Sequence, residues 1–340
     1  MTDSSTLFPA TISSVHAASA TVPPSLELQC PVCRQKLLRS VSLPEPGCVA
    51  CGYVIYERNG IWHALPPYRE ASFRRFVQDY EAVRAKEGRG SSSADYYLAL
   101  PFKDLSGRNA WQWEIRARTF HFLERRLLPE IESDPGRACD VLDVGAGNGW
   151  LSYRLALRGH RPVAVDLLDN DTDGLGATRH YFRRLTRPFP RFKAEMDSLP
   201  FAAAQFDVVI FNASFHYSVD YQRTLKEALR CLRRGGHLII ADSPFYWRDE
   251  SGQRMLEEKR ASFEREFGFR SDSVQSREYL TPENLRDLAS KLALKWNVYK
   301  PWHGIGWALR PIKARLMRRR EPSKFYLLHA RKESLLDACR

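Results

Sequence analysis

Seven consecutive residues near the middle of the chain limit its fold more than any others. Asp143-Val-Gly145-Ala-Gly147-Asn-Gly149 directly follows the apolar pair Val141-Leu142 and precedes a helix-patterned run over residues 150–158. Glycines at alternate positions let the backbone turn tightly and approach a ligand closely. A strand that ends in such a loop and opens a helix places that ligand beyond the carboxyl edge of a parallel sheet. Strand-length apolar runs follow at 162–165, 192–195, 206–211 and 237–241, separated by helix-patterned segments such as 221–232. Two more strands are expected at 294–299 and 325–329. The alternation predicts an α/β fold, a doubly wound, mostly parallel, seven-stranded sheet with helices on both faces.

The loop differs from two common phosphate-binding patterns. A dinucleotide fingerprint has its third glycine three residues after the second. Here that position is Trp150, and the third glycine comes early, at Gly149. Asp143, two residues before the first glycine, is foreign to that pattern. No lysine follows the glycines, as a nucleoside-triphosphate loop requires.

With four later stretches in order, these residues resemble the class I S-adenosylmethionine-dependent methyltransferases with a type 11-like domain. The stretches are Asp166 at the end of the second strand, Asp197-Ser198-Leu199-Pro200-Phe201, Phe206-Asp207-Val208-Val209 through Asn212, and Leu232-Arg-Arg-Gly235-Gly236-His-Leu. The resemblance implies a Rossmann-like methyltransferase fold that binds S-adenosyl-L-methionine. It further implies that Asp143, Gly145, Ala146, Gly147, Asn148 and Gly149 face the methionine end. Asp166, with Leu167, would take the ribose, a carboxylate being able to accept from two hydroxyls. Asp197, Ser198 and Leu199 would contact the adenine, and Asn212 completes the set.

Methyl transfer is an in-line displacement, so the enzyme positions the acceptor and, where needed, removes its proton. Acceptor residues follow the fourth strand, here Asn212-Ala-Ser214-Phe215-His216-Tyr217. His216 is the candidate general base, since histidine titrates near neutrality; packing or simple hydrogen bonding is its other reading. Tyr217 is the second catalytic candidate. Family members that methylate amino groups of bases carry Asn-Pro-Pro-aromatic at this point. Asn212 and Phe215 keep that spacing without the prolines. The pattern resembles instead the small-molecule branch that includes the ubiquinone and menaquinone biosynthesis enzymes. Residues 171–176 and 242–246 are expected at the carboxyl edge near the pocket, with Tyr96, Tyr97 and residues 111–116 as a lid.

Cys30-Pro-Val-Cys33 and Cys48-Val-Ala-Cys51 form two CxxC knuckles fourteen residues apart. Four thiolates complete a tetrahedron with no open position, so a structural zinc is expected rather than a catalytic one. The remaining three cysteines and the lack of a basic-apolar leader argue against a disulfide framework. The chain divides into a tail (1–25) read as disordered, a zinc ribbon (26–67), a helical linker or lid (68–136) and the methyltransferase domain (137–340). No apolar run approaches the roughly 18 residues of a membrane span, and a cytoplasmic location is expected. The formal charge of +12 keeps an RNA acceptor open as the alternative to a small molecule. Zinc-bearing ribosomal RNA guanine methyltransferases place a ribbon similarly, but with a histidine among its ligands. A non-catalytic cofactor-binding scaffold is the third reading.

Overall fold

In the computed structural model, which describes residues 23, 25–40, 43–132, 136–268 and 274–333, the glycine loop lies at the centre of one large sheet. Most of the expected tail, and Cys339, fall outside the described residues. Strands β1 (Leu38–Ser40) and β2 (Leu43–Gly47) form a separate two-stranded sheet, with Gly47 also bridging to Val54. The others are β3 (Tyr56–Arg58), β4 (Ile61–His63), β5 (Asp140–Val144), β6 (Arg161–Asp166), β7 (Arg191–Lys193), β8 (Phe206–Asn212), β9 (Leu232–Phe245), β10 (Asn297–Tyr299) and β11 (Lys324–Arg331). They form a single sheet in the order β10-β11-β9-β8-β5-β6-β7-β4-β3. Strands β9, β8, β5, β6 and β7 are parallel, and β11 and β10 close one edge antiparallel.

The sheet thus has nine strands, not the expected seven. The extra two, β3 and β4, come from the cysteine-bearing segment. Asn59 and Gly60, both at positive φ, close them into a hairpin, the two-residue turn that suits the strand twist. β4 then adds parallel to β7, pairing Trp62 with Phe192 and His63 with Lys193. The amino end of the same segment is tied in as well. Gln29 N donates to Pro200 O (3.0 Å) and Ala202 N to Glu27 O (2.9 Å). Leu26, Leu28, Cys30 and Ile55 share one core with Phe192 and Phe201.

Strand alternation builds two cores. Leu142, Val144, Val209 and Phe211 point to the face covered by the cysteine-bearing segment, α7 (Tyr221–Cys231) and α9 (Pro282–Leu292). Val141, Val208 and Ile210 point to the face covered by α3 (Ala110–Phe122) and α5 (Trp150–Leu157). Burial on both faces is why these strands read as unbroken apolar runs. The remaining helices are α1 (Pro67–Lys86), α2 (Ala94–Ala99), α4 (Leu128–Glu132), α6 (Arg179–Phe182), α8 (Asp249–Phe267), α10 (Ile305–Ala308) and α11 (Arg310–Leu316). Pro67 occupies the first turn of α1, where its missing N–H costs nothing.

Candidate active site

The loop after β5 is held by its neighbours as well as by its glycines. Gly145, Gly147 and Gly149 all have positive φ. A Cβ on Gly145 would lie 2.2 Å from the Cβ of Ser214, whose hydroxyl donates to Val144 O at 2.5 Å. Gly145 N and Ala146 N donate to Val165 O. Gly147 N donates to Asp166 Oδ2 (2.7 Å) and Leu168 N to Asp166 Oδ1 (2.8 Å). Burial lifts the Asp166 carboxyl to about 6 despite these donors. Around them opens a cavity floored by residues 145–148, Asp166, Leu167 and Asn212. Helix α1 roofs it with Phe76, Tyr80 and Arg84, and α3 contributes Trp113 and Arg116.

Several sequence candidates lie elsewhere. Asp143 pairs in register with Ala164, two residues short of Asp166, a step of roughly 6.6 Å along a strand. It is therefore inside the core rather than at the sheet edge. Its Oδ2 accepts from Ser152 (2.8 Å), its Oδ1 has no partner, and burial raises its carboxyl to about 7. Gly149 opens α5 without lining the cavity. Asp197, Ser198 and Leu199 do not line it either. The Asp197 carboxylate accepts the Thr224 hydroxyl, Ser198 Oγ donates to Pro31 O (2.9 Å), and Leu199 N donates to Glu227 Oε1 (2.8 Å). Met196, one residue earlier, reaches the cavity in their place.

A second cavity adjoins the first, and both are lined by Phe76, Tyr80, Arg84, Arg116, Ala213 and Tyr217. Its wall mixes apolar side chains, among them Val83, Ile115, Pro244, Met255 and Phe325, with charged ones, among them Glu87, Arg89, Lys259 and Glu278. Tyr217 packs edge-on against Tyr80 (5.7 Å) and Phe76 (6.2 Å). His216 also faces this cavity, with Nδ1 3.3 Å from Ser243 Oγ. Burial, with Lys259 and Arg116 nearby, drives its pKa down to about 3. The imidazole is therefore neutral at physiological pH and a weak base.

Asp242 and Arg116 are the ionisable groups that sequence reasoning left without roles. Asp242 ends the parallel run of β9 with φ +52°, an unusual backbone state for a non-glycine residue that concentrates at functional sites. Its Oδ1 accepts the Thr119 hydroxyl (2.7 Å), while the buried Oδ2 has no partner. Burial raises its carboxyl to about 6. Arg116 borders both cavities, stacks on the Trp113 ring at 4.7 Å and forms no ion pair among the described residues. Burial and the cations Arg89 and Arg84 lower its pKa to about 10, so it stays charged. The expected 96–97 and 111–116 lid is divided: Trp113 and Arg116 line the cavities, whereas the Tyr97 hydroxyl lies 2.6 Å from Thr172 O and braces the loop beneath α1. Arg84 grips the same loop, donating to Asp173 at 2.5 Å.

The four knuckle sulfurs lie within 4.8 Å of one another, with Cys30–Cys51 at 3.5 Å and Cys33–Cys48 at 3.3 Å. A tetrahedron with roughly 2.3 Å metal–sulfur bonds has edges of roughly 3.8 Å, so the donor set fits one ion. The knuckles repeat each other: Arg34 N donates to Cys30 O and Gly52 N to Cys48 O, with Arg34 and Gly52 both left-handed. Arg34 also reaches out of the knuckle. It donates to Glu227 Oε1 of α7 (2.5 Å) and to Asp197 O (3.4 Å), the residue after Met196.

Residues 142–240 match the family described as a methyltransferase domain. The ubiquinone/menaquinone biosynthesis C-methyltransferase of Rhizobium etli is 31% identical over 104 residues, 30% of this chain and 40% of that protein. The malonyl-[acyl-carrier protein] O-methyltransferase of Erwinia pyrifoliae is 28% identical over 135 residues, 40% of this chain and 48% of the other. The ribosomal RNA small subunit methyltransferase C of Chromohalobacter salexigens is 32% identical over 124 residues, 35% of each. The chain thus spans half or less of the length of these relatives. A solved S-adenosylmethionine-dependent methyltransferase from Thermotoga maritima is 19% identical, covering 77% of this chain and 99% of that one with a TM-score of 0.41, too distant to bear on activity. Residues 142–240 are a methyltransferase domain of the S-adenosylmethionine-dependent type.

Proposed function

We propose that the chain methylates a small or medium-sized, largely apolar acceptor held in the second cavity. The observation that carries this reading is the pair of adjoining cavities, the first floored by the glycine loop and Asp166, the second offering an apolar stretch from Val83, Ile115, Met255 and Phe325 beside Asp242 and His216. S-adenosyl-L-methionine supplies an electrophilic methyl group on a sulfonium. Residues 145–148 would face its methionine end, in a loop whose Gly145 leaves room for Ser214 to pack against it. Asp166 accepts the ribose hydroxyls on lone pairs left free by Gly147 N and Leu168 N. Leu167, Met196 and Asn212 frame the rest of that cavity, and the Asp197–Leu199 loop supports Met196 from behind. Arg116 answers a carboxylate, of the cofactor or of the acceptor. Phe76, Tyr80 and Tyr217 exclude water and present ring faces to the sulfonium.

Asp242 takes the acceptor proton. Its unpartnered Oδ2 and its pKa of about 6 suit a base at neutral pH better than His216, which at about 3 serves as a neutral hydrogen-bonding wall. The four cysteines hold a structural zinc. An RNA acceptor is the second reading, favoured by the charge of +12 and by the ribosomal RNA methyltransferase among the relatives.

Incubation with methyl-labelled S-adenosylmethionine, separately with a lipid-soluble extract and with total RNA, distinguishes the readings. Label entering the organic-soluble fraction is the expected result. Label in RNA alone establishes the second reading, and label in neither fraction overturns the first.

A further inference from the structure

Helices α10 and α11 carry an apolar stripe that nothing among the described residues covers. Leu309 N donates to Ile305 O and Lys313 N to Leu309 O, so the two helices run on as one. At roughly 100° per residue, Ile305, Leu309, Ile312 and Leu316 fall within about 60° of one another. Their exposures are 71%, 51%, 59% and 80%, and Trp302, one turn earlier, is 64% exposed. Apolar side chains scattered singly on a surface are ordinary; a contiguous stripe of them marks an interaction site.

The charges around the stripe say what kind. Residues 300–320 contain seven lysines and arginines and no aspartate or glutamate. Lys313 and Arg315 flank the stripe on opposite sides, near 80° from its centre on the same wheel. With Arg318 and Arg319 they form no ion pair among the described residues. Arg320 is the member that is neutralised, by Glu258 at 2.6 Å. Long basic side chains beside an apolar stripe bury their stems while keeping their heads in a polar layer. A nucleic-acid backbone matches the cations but gives the four aliphatic side chains nothing to enter. A protein groove matches the aliphatic side chains but not an unbroken run of cations.

We propose that this face docks in the plane of an anionic lipid surface, with Ile305, Leu309, Ile312 and Leu316 in the acyl boundary and the flanking cations among acidic headgroups. No helix among the described residues is long and apolar enough to cross a membrane, so the contact is peripheral. Docking there sets the second cavity close to the lipid. Trp307 of the docking helix packs on Phe325 at 5.5 Å, and Phe325 lines that cavity. The proposal does not depend on the methyl-transfer reading.

Vesicle flotation of the full chain tests it, using phosphatidylcholine vesicles with and without phosphatidylglycerol. The comparison variant is Ile312→Glu with Leu316→Glu. Both positions are exposed and outside the two cavities, and the melting temperature verifies the fold. Binding to the anionic vesicles is expected to exceed binding to pure phosphatidylcholine by about tenfold or more, to fall by a similar factor in the double variant, and to weaken in about 0.5 M salt. Absence of binding to anionic vesicles, or equal binding by the double variant, overturns the proposal.

Discussion

Glu227→Ala probes whether the cysteine-bearing segment steadies the cofactor cavity. Glu227 is 6% exposed and serves as a hub: Oε1 accepts from Arg34 (2.5 Å), Leu199 N (2.8 Å) and Arg230 (2.9 Å), and Oε2 accepts from Arg230 Nε (2.9 Å). Removing it leaves a buried backbone N–H without an acceptor, about 1–3 kcal/mol. Breaking a buried ion pair costs about 3–5 kcal/mol when the surviving charge stays dry. The Arg34 and Arg230 side chains are 38% and 24% exposed and can rehydrate, so the pair contributes the smaller share and the sum is about 2–4 kcal/mol. Glu227→Gln keeps an oxygen for Leu199 N and should lose about half of that. Cofactor affinity should fall with stability, because Glu227 anchors Leu199 in the loop that directly follows Met196, and Met196 lines the first cavity. Thermal denaturation and calorimetric binding of S-adenosylhomocysteine read the two effects. Burial alone would raise the Glu227 carboxyl, but Arg230 and Arg34 outweigh it and hold it below the ordinary range. Its contribution is therefore complete above the unfolded value of about 4.3 and is lost as pH falls through the lower folded value. Wild type and Glu227→Gln should converge in stability at strongly acidic pH. Loss of stability with unchanged cofactor affinity would refute the bracing argument, as would no change in either.

Three further outcomes follow from the site. Gly145→Ala forces a side chain to φ +74° and within 2.2 Å of Ser214 Cβ; cofactor binding should weaken at least about tenfold, equivalent to about 1.4 kcal/mol, in a protein that still folds by circular dichroism. Asp242→Asn should lower kcat by about 10²–10⁴ with little effect on cofactor affinity, while the wild-type rate rises with pH through about 6 as the base ionises; a flat profile from pH 5 to 8 (roughly two units around that pKa) would remove Asp242 from the role. Chelation of the proposed zinc should lower the melting temperature, because Cys30 and Cys48 belong to the same core as Phe192 and Phe201, and zinc readdition should restore it.

What the sequence shows and what it hides follow from how each residue is constrained. The central strands are legible because both faces are buried, so Val208 to Phe211 are apolar throughout. The β3–β4 hairpin carries its own sign in Asn59-Gly60, but strands of three residues show no period, and their union with β7 is a tertiary event. The glycine loop is marked by its spacing, whereas Asp166 enters only through the resemblance to the methyltransferases; both border the first cavity. Asp143 is not separable from Asp166 in sequence, since both are acidic residues near a strand end; only the register shows one of them two residues deeper. Side-chain direction in irregular loops is likewise hidden. Asp197 turns to Thr224 and leaves Met196 at the cavity, and no periodicity announces that. Arg116 and Asp242 lie on stretches expected near the pocket, but their roles depend on burial and on the absence of a partner, which only packing reveals.

Calorimetric binding of S-adenosylhomocysteine to the folded, zinc-loaded chain, beside Asp166→Ala, tests the central claim most directly. A dissociation constant of about micromolar order for the wild type, with no measurable binding by Asp166→Ala, is the predicted result. A folded wild type that does not bind, or an Asp166→Ala variant that binds as well as wild type, would contradict it.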